Sequence, residues 1–160
     1  HGGNRTGRVF TGDKSADFLF KCLYKSGFSN QSLSNYKNDG LKLYNLYLTT
    51  ALKCVPPGDK PTSVELKTCF KYFKEEIHLL KNVQIILSLG KIAFDACLNF
   101  YKEEHVIKNK DFKFSHDCNY LLPDNKLLVG CYHPSPRNVN TGRIDENKMV
   151  NLFIKVKNLI

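Results

Sequence analysis

Val83-Gln84-Ile85-Ile86-Leu87-Ser88-Leu89-Gly90 is an apolar run that ends on a glycine, and Ile92, Ala93, Cys97 and Phe100 follow it at helical spacing. A strand, a glycine turn and a helix in that order make a βα unit. On its amino-terminal side, Thr62 and Glu65 form a capping-box pair, and Leu66, Phe70, Phe73, Ile77 and Leu80 recur at steps of three and four, which predicts an amphipathic helix. Farther upstream, Leu43 to Leu52 is rich in Tyr, Leu and Thr without a breaker, and predicts a buried strand that stops at Cys54-Val55-Pro56-Pro57. Phe18, Leu19, Cys22 and Leu23 place a first helix over Lys14 to Ser26, stopped by Gly27. On the carboxyl-terminal side, Lys113 to Ser115 and Lys126 to Cys131 read as strands, and Met149, Phe153, Val156 and Ile160 give a last helix its apolar stripe.

Alternating strands and helices, with near-continuous apolar strands, predict an α/β fold in which a parallel sheet is covered by helices on both faces. The 160 residues have the length of one domain and can bury a core without disulfide staples. In such sheets ligands collect beyond the carboxyl ends of the strands. Thr49 to Cys54, Gly90 and His133 all lie at or just after those ends, so three separated segments are expected to converge on one crevice.

Twenty-four Lys and Arg against 15 Asp and Glu give a net charge of +9. The excess sits at the two ends: residues 1–60 hold nine basic and four acidic side chains, residues 124–160 six and three, and the middle is nearly neutral at nine and eight. A phosphate-bearing partner and simple solubility explain that distribution about equally well. Six cysteines, at 22, 54, 69, 97, 118 and 131, show no short paired spacing of a disulfide framework and read as reduced thiols of a cytoplasmic protein. Nothing resembles a signal peptide or a membrane span. The chain begins at His1-Gly2-Gly3 without methionine and reads as a fragment lacking its natural start.

Tyr132-His133-Pro134-Ser135-Pro136-Arg137-Asn138-Val139-Asn140-Thr141-Gly142-Arg143 is a polar loop stiffened by two prolines, which bias His133 and Ser135 toward extended geometry. A histidine in such a loop is poorly explained as core filling, and it can donate a hydrogen bond to negative charge developing on a leaving group. Ser135, Arg137, Asn138, Asn140 and Arg143 offer hydroxyl, guanidinium and amide donors suited to phosphates. Gly7-Arg8-Val9-Phe10-Thr11-Gly12-Asp13 sets an aromatic ring and a carboxylate among glycines. Phe10 is a stacking platform or a packing residue. Asp13 caps the first helix, or it orients a water or stabilises a cationic sugar. Cys54 and Cys69 are placed to face a shared site, although two thiolates are too few for a metal. His116 and Cys118 with Cys131 and His133 form a competing zinc set, disfavoured because it would consume the histidine that the loop presents.

Together, Gly7 to Asp13, Lys53-Cys54-Val55-Pro56-Pro57, Leu87-Ser88-Leu89-Gly90 and His133 to Gly142 resemble the uracil-DNA glycosylase superfamily, most closely its fifth family, type b, over essentially the whole chain. The resemblance implies a three-layer α/β/α sandwich with a central, mainly parallel sheet. It implies a monofunctional, monomeric enzyme of the prokaryotic cytoplasm, associated with the nucleoid. Such an enzyme hydrolyses the N-glycosidic bond of uracil and related deaminated bases in DNA and leaves an abasic site. Phe10 would stack on the flipped base, His133 would hydrogen-bond the base carbonyl, Asp13 would assist the water or the oxocarbenium-like sugar, and Ser135 to Asn138 would press on the opened duplex.

Members also carry a 4Fe-4S cluster on four cysteines, of which Cys54 and Cys69 match the second pair; the first pair belongs upstream of His1, as does a Gly- and Pro-containing pocket motif. Thr50 stands where narrower relatives place an asparagine that reads uracil, so strict uracil selection is expected to weaken. Asp59 follows Pro56-Pro57 where an asparagine is expected, as a carboxylate that shares the work of Asp13 or repels phosphate. The alternatives are a non-catalytic nucleic-acid-binding remnant of the same fold and a zinc-binding regulator.

Overall fold

The turn from strand to helix falls at Gly90, whose φ of +96° is open to glycine and strained for any residue with a Cβ. In the computed structural model, which describes residues 2–160 apart from the side chains of Asp59 and Asn109, the elements run α1 (Gly2–Thr6), α2 (Lys14–Lys25), α3 (Ser63–Leu79), β1 (Ile85–Leu89), α4 (Lys91–Glu104), β2 (Asn119–Leu121), β3 (Leu127–Cys131), α5 (Pro136–Asn140) and α6 (Glu146–Lys157). Two single turns of 3-10 helix, Pro57–Asp59 and Asn109–Asp111, complete the order. The chain forms two compact units, residues 1–49 with 132–160 and residues 50–131.

The second of these units contains the sheet, in strand order β1-β3-β2. β1 and β3 run parallel, with Ile85 opposite Leu127 and Leu89 opposite Cys131, while β2 pairs antiparallel to β3. The sheet is therefore mixed and three-stranded, and the mainly parallel sheet expected from the sequence is not what these residues form. Two predicted strands are absent. Lys113–Ser115 is irregular, and the strand lies four residues later at Asn119–Leu121. Leu43–Leu52 has one isolated bridge, Ser29 to Leu43, and is otherwise without strand structure. Its tyrosines are the reason: Tyr44 and Tyr47 are exposed, so the segment lacks the apolar face that would hold it in a sheet.

The helices follow the sequence closely. α3 starts at the Thr62–Glu65 capping box, both halves of which are formed. Phe73 of α3, Phe94, Cys97, Leu98, Phe100 and Tyr101 of α4, and Leu122 and Leu128 make one buried cluster. The Tyr101 hydroxyl donates to Asp124 Oδ2 at 2.9 Å, which fastens α4 to the turn between β2 and β3.

In the other unit α2 packs on α6, burying Leu19, Phe20, Leu23, Met149, Leu152 and Phe153. Lys21 and Lys25 both reach Glu146 at the start of α6. A second anchor lies at Arg8. Its guanidinium donates to Asp39 Oδ1 at 2.8 Å, to the Lys37 carbonyl at 2.8 Å and to Ser34 Oγ at 3.1 Å. Asp39 also accepts from the backbone amides of Asn35, Tyr36 and Leu41. Burial opposes the charge on Asp39, but these amides and the guanidinium outweigh it and hold the carboxyl down at about 2.

Folding depresses this pKa, so its stabilising contribution is complete above about pH 4, the ordinary carboxyl range, and vanishes as the pH falls to about 2. Asp39→Ala, which strands a guanidinium and three amides, is expected to cost about 2 kcal/mol at neutral pH. Urea melts from pH 7 to pH 2 check both points: the native protein should lose its advantage over the variant across the acid range. A constant difference would show that the carboxylate is not the source.

Candidate active site

The segment between α1 and α2 is held close to its neighbours. A Cβ on Gly2 would lie 2.1 Å from the Thr11 carbonyl oxygen, so α1 approaches the strip only because that residue is glycine. Arg5 Nη2 donates to the Gly12 carbonyl at 3.0 Å, and Thr11, buried, shares a hydrogen bond with Ser34. Between these ties Phe10 is held at φ +53°, a left-handed conformation that costs a bulky L-residue about 1–2 kcal/mol. Its ring is half-buried, so the strained backbone leaves part of an aromatic face in the open.

Asp13 is the N-cap of α2: its Oδ1 accepts from the Ala16 amide at 2.9 Å, which satisfies one orphan donor of the first turn. No other hydrogen bond to the Asp13 side chain forms among the described residues, so Oδ2 keeps its acceptor capacity. The carboxylate is exposed and near enough to His133 to raise the imidazole pKa. Burial acts more strongly in the opposite direction and leaves His133 below its ordinary value of 6.5. At neutral pH the ring is therefore uncharged, a donor through one nitrogen and an acceptor through the other.

The loop that carries His133 is shaped from within. Pro134 is buried. Ser135 caps α5, its Oγ accepting from the Asn138 amide, and Pro136 occupies the first helical position, where its missing N–H is not needed. The Asn138 side chain reaches back to donate to the His133 carbonyl at 2.8 Å. Arg143 lies 4.3 Å over the Tyr132 ring. Of the donors expected to meet DNA, Ser135, Asn138 and Arg143 thus already have partners in the loop, and Arg137 and Asn140 are exposed on α5. The extended loop read from the sequence contains this short helix, for which a serine followed by a proline was a visible start signal.

Thr50, Asp59, Cys54 and Cys69 belong to the unit of residues 50–131. Thr50 is half-buried in an irregular segment, not at a strand end, and the side chain of Asp59 lies outside the described residues. Cys54 and Cys69 do come together, with their sulfurs 3.9 Å apart. They face a recess of about 210 Å³ lined by Leu52, Val55, Pro56, Val64, Glu65 and Thr68. The neighbouring Cys69 thiol, with some help from burial and Glu65, raises the Cys54 pKa. A soft metal centre would reverse that by binding both as thiolates. Paired thiols beside a mostly apolar recess suit two corners of an iron-sulfur cluster; among the described residues no group of three or more His, Cys, Asp or Glu assembles.

A family profile described as "Uracil DNA glycosylase superfamily" matches residues 1–157. The chain belongs to that superfamily. It is 38% identical over 159 residues to a type-5 uracil-DNA glycosylase of Thermus thermophilus, covering 99% of this chain and 70% of the relative. It is 38% identical over 144 residues to one of Pyrobaculum aerophilum, covering 90% and 60%. A third, of Mycobacterium bovis, is 35% identical over 160 residues, covering 99% and 59%. The chain thus spans between about three-fifths and seven-tenths of the length of these relatives. Among the described residues no helix is long and apolar enough to cross a membrane.

Two contributors to this superfamily member's site escaped the sequence reading. Arg8 was visible only as part of a motif and Asp39 not at all, because 31 residues separate them. Asn138 read as a DNA donor, whereas its side chain braces the histidine backbone.

Because Asp13 raises the imidazole pKa, Asp13→Asn should move it further down, and asparagine caps a helix about as well as aspartate. An NMR titration of the His133 ring protons checks this: a lower pKa with unchanged melting temperature is expected. An unmoved pKa would mean that the two side chains do not interact.

Proposed function

We propose that this chain hydrolyses the N-glycosidic bond of uracil and other deaminated bases in DNA, leaving an abasic site. The observation that carries the reading is the pairing of a capped but open carboxylate, Asp13, on the strip that also carries the left-handed aromatic residue Phe10, with a neutral, half-buried imidazole, His133. Chemistry on a base requires it to leave the stack, at a cost of a few kcal/mol, and to be held in a pocket. Phe10 supplies a face for it. As the bond between the sugar carbon and the base nitrogen breaks, its electron pair goes to the base, and an uncharged His133 N–H stabilises the resulting anion by hydrogen bonding to its carbonyl oxygen. The sugar is left electron-poor, and Asp13 stabilises it and takes the proton of the water that adds to it. Arg137 and Asn140 meet the backbone, with Ser135, Asn138 and Arg143 holding the loop against the duplex.

Thr50 offers a hydroxyl where an amide would select uracil, which fits a broader choice of base, and Asp59 is the second candidate carboxylate. In this reading the 160 residues form one glycosylase domain of the three-layer α/β/α type, working as a monomer at the prokaryotic nucleoid. Cys54 and Cys69 supply two of the four thiolates that a 4Fe-4S cluster takes; when bound, the cluster serves as a structural brace that ties the segment after Leu52 to α3.

The test is incubation with oligonucleotides carrying uracil, hypoxanthine or xanthine, followed by alkali to break abasic sites. Strand breakage at the damaged base is expected, and none above background would sink the enzyme reading. His133→Ala should slow single-turnover cleavage by about 10²–10³-fold while DNA affinity changes little; equal losses in both would contradict the role given to the imidazole. Cys54→Ser and Cys69→Ser should each strip iron and acid-labile sulfide from the purified protein. Retention of both elements in both variants would remove these thiols from the ligand set.

A further inference from the structure

We propose that the turn Asn35-Tyr36-Lys37-Asn38-Asp39 is a second DNA contact, in which Tyr36 stacks on an unpaired base and Lys37 meets a phosphate of the strand flanking the flipped nucleotide. The inference rests on the glycosylase reading and adds to it a surface outside the pocket residues.

The Lys37 amide donates to the Thr6 carbonyl at 3.0 Å, and Arg8 clamps the Lys37 carbonyl. The aliphatic stem of Lys37 lies across Gly7, within 3.7 Å of the point where a side chain would begin. The turn is therefore bonded directly to the strip that carries Phe10 and Asp13, within the same unit.

One carboxylate, Asp39, accepts from three amides of the turn and its flank and from Arg8. A turn fixed in this way loses little further freedom when a ligand arrives.

The exposed chemistry suits nucleic acid. Tyr36 is 57% exposed, and its ring makes no ring contact, cation contact or side-chain hydrogen bond among the described residues. Lys37 is exposed and forms no ion pair among the described residues. The one acid of the turn, Asp39, is neutralised by Arg8, so nothing there repels a phosphate. The unit itself, residues 1–49 and 132–160, holds twelve Lys and Arg against five Asp and Glu, a net +7 of the +9 carried by the whole chain. An aromatic face beside a free cation on a basic body is the arrangement that binds single strands without regard to sequence.

The experiment measures fluorescence anisotropy of labelled DNA carrying a stable abasic-site analogue, once as duplex and once with the flanking bases unpaired, across a salt series. Tyr36→Ala should weaken binding to the unpaired-flank DNA about five- to tenfold and the duplex less, whereas Tyr36→Phe, which keeps the ring, should bind as the native protein does. Lys37→Gln should reduce the slope of log affinity against log salt by about 0.7–0.9, the share of one phosphate. If native protein cleaves uracil-containing DNA yet Tyr36→Ala and Lys37→Gln both bind within about twofold of it with an unchanged slope, this contact is overturned and the glycosylase reading survives. Equal weakening by Tyr36→Ala on both DNAs overturns the stacking role. Native protein that neither binds nor cleaves overturns both.

Discussion

The Arg8–Asp39 pair is the interaction on which the rest of the candidate site depends. Phe10 in a left-handed conformation and Thr11 under a glycine with no room for a Cβ are unfavourable arrangements for a free strip of chain. They persist because the strip is held on both sides, packed on α1 at Gly2 and hydrogen-bonded to it through Arg5, and bonded to the 34–41 segment through Arg8 and Thr11. Strain of this kind is retained where surrounding structure over-determines it. A buried carboxylate that accepts from three amides and a guanidinium has few alternative arrangements, and this fixes the strip more firmly than apolar contacts of similar area would.

Several side chains in this unit carry two duties, and the chemistry depends on the combination. Asp13 spends one oxygen on the amino terminus of α2 and keeps the other. The cap fixes the carboxylate in direction, which a free surface aspartate would lack. Ser135 and Asn138 use their donors and acceptors to build α5 and to hold the His133 carbonyl, so the imidazole leaves a braced backbone. Burial then keeps that imidazole neutral against the pull of Asp13. A stronger pull would make it a cation before any base arrived and would remove the acceptor nitrogen.

How much of this was legible in the sequence follows from the range of the forces. α3 announced itself because a capping box and a three-four apolar rhythm are local, and the strands on either side of Gly90 and before Tyr132 did so because a run without polar interruption has few other uses. Leu43–Leu52 misled for a related reason. Tyr, Leu and Thr favour strands only when a face is buried, and its tyrosines face solvent. Lys113–Ser115 misled because the strand formed where Asn119 and Tyr120 could pair with Val129 and Leu128, a choice made by β3 and not by the local sequence. The site divided in the same way: Phe10, Asp13 and His133 were visible through their motifs, but the clamp that holds them joins residues 31 apart.

Charge shows how a basic unit can keep an acid for chemistry. Of the five acidic side chains in residues 1–49 and 132–160, Asp39 is paired with Arg8, Glu146 with Lys21 and Lys25, and Asp145 with Lys148. These pairs remove most of the repulsion a polyanion would meet, and they do so with few of the available cations. The other two are Asp13 and Asp17. Of these two, it is Asp13 whose charge is felt by His133. In the proposed reaction, a duplex drawn in by the surplus of Lys and Arg would meet that carboxylate where positive charge develops on the sugar. On that proposal, a lysine partner for the exposed Asp13 would add little to the fold and would offset the charge that the sugar needs.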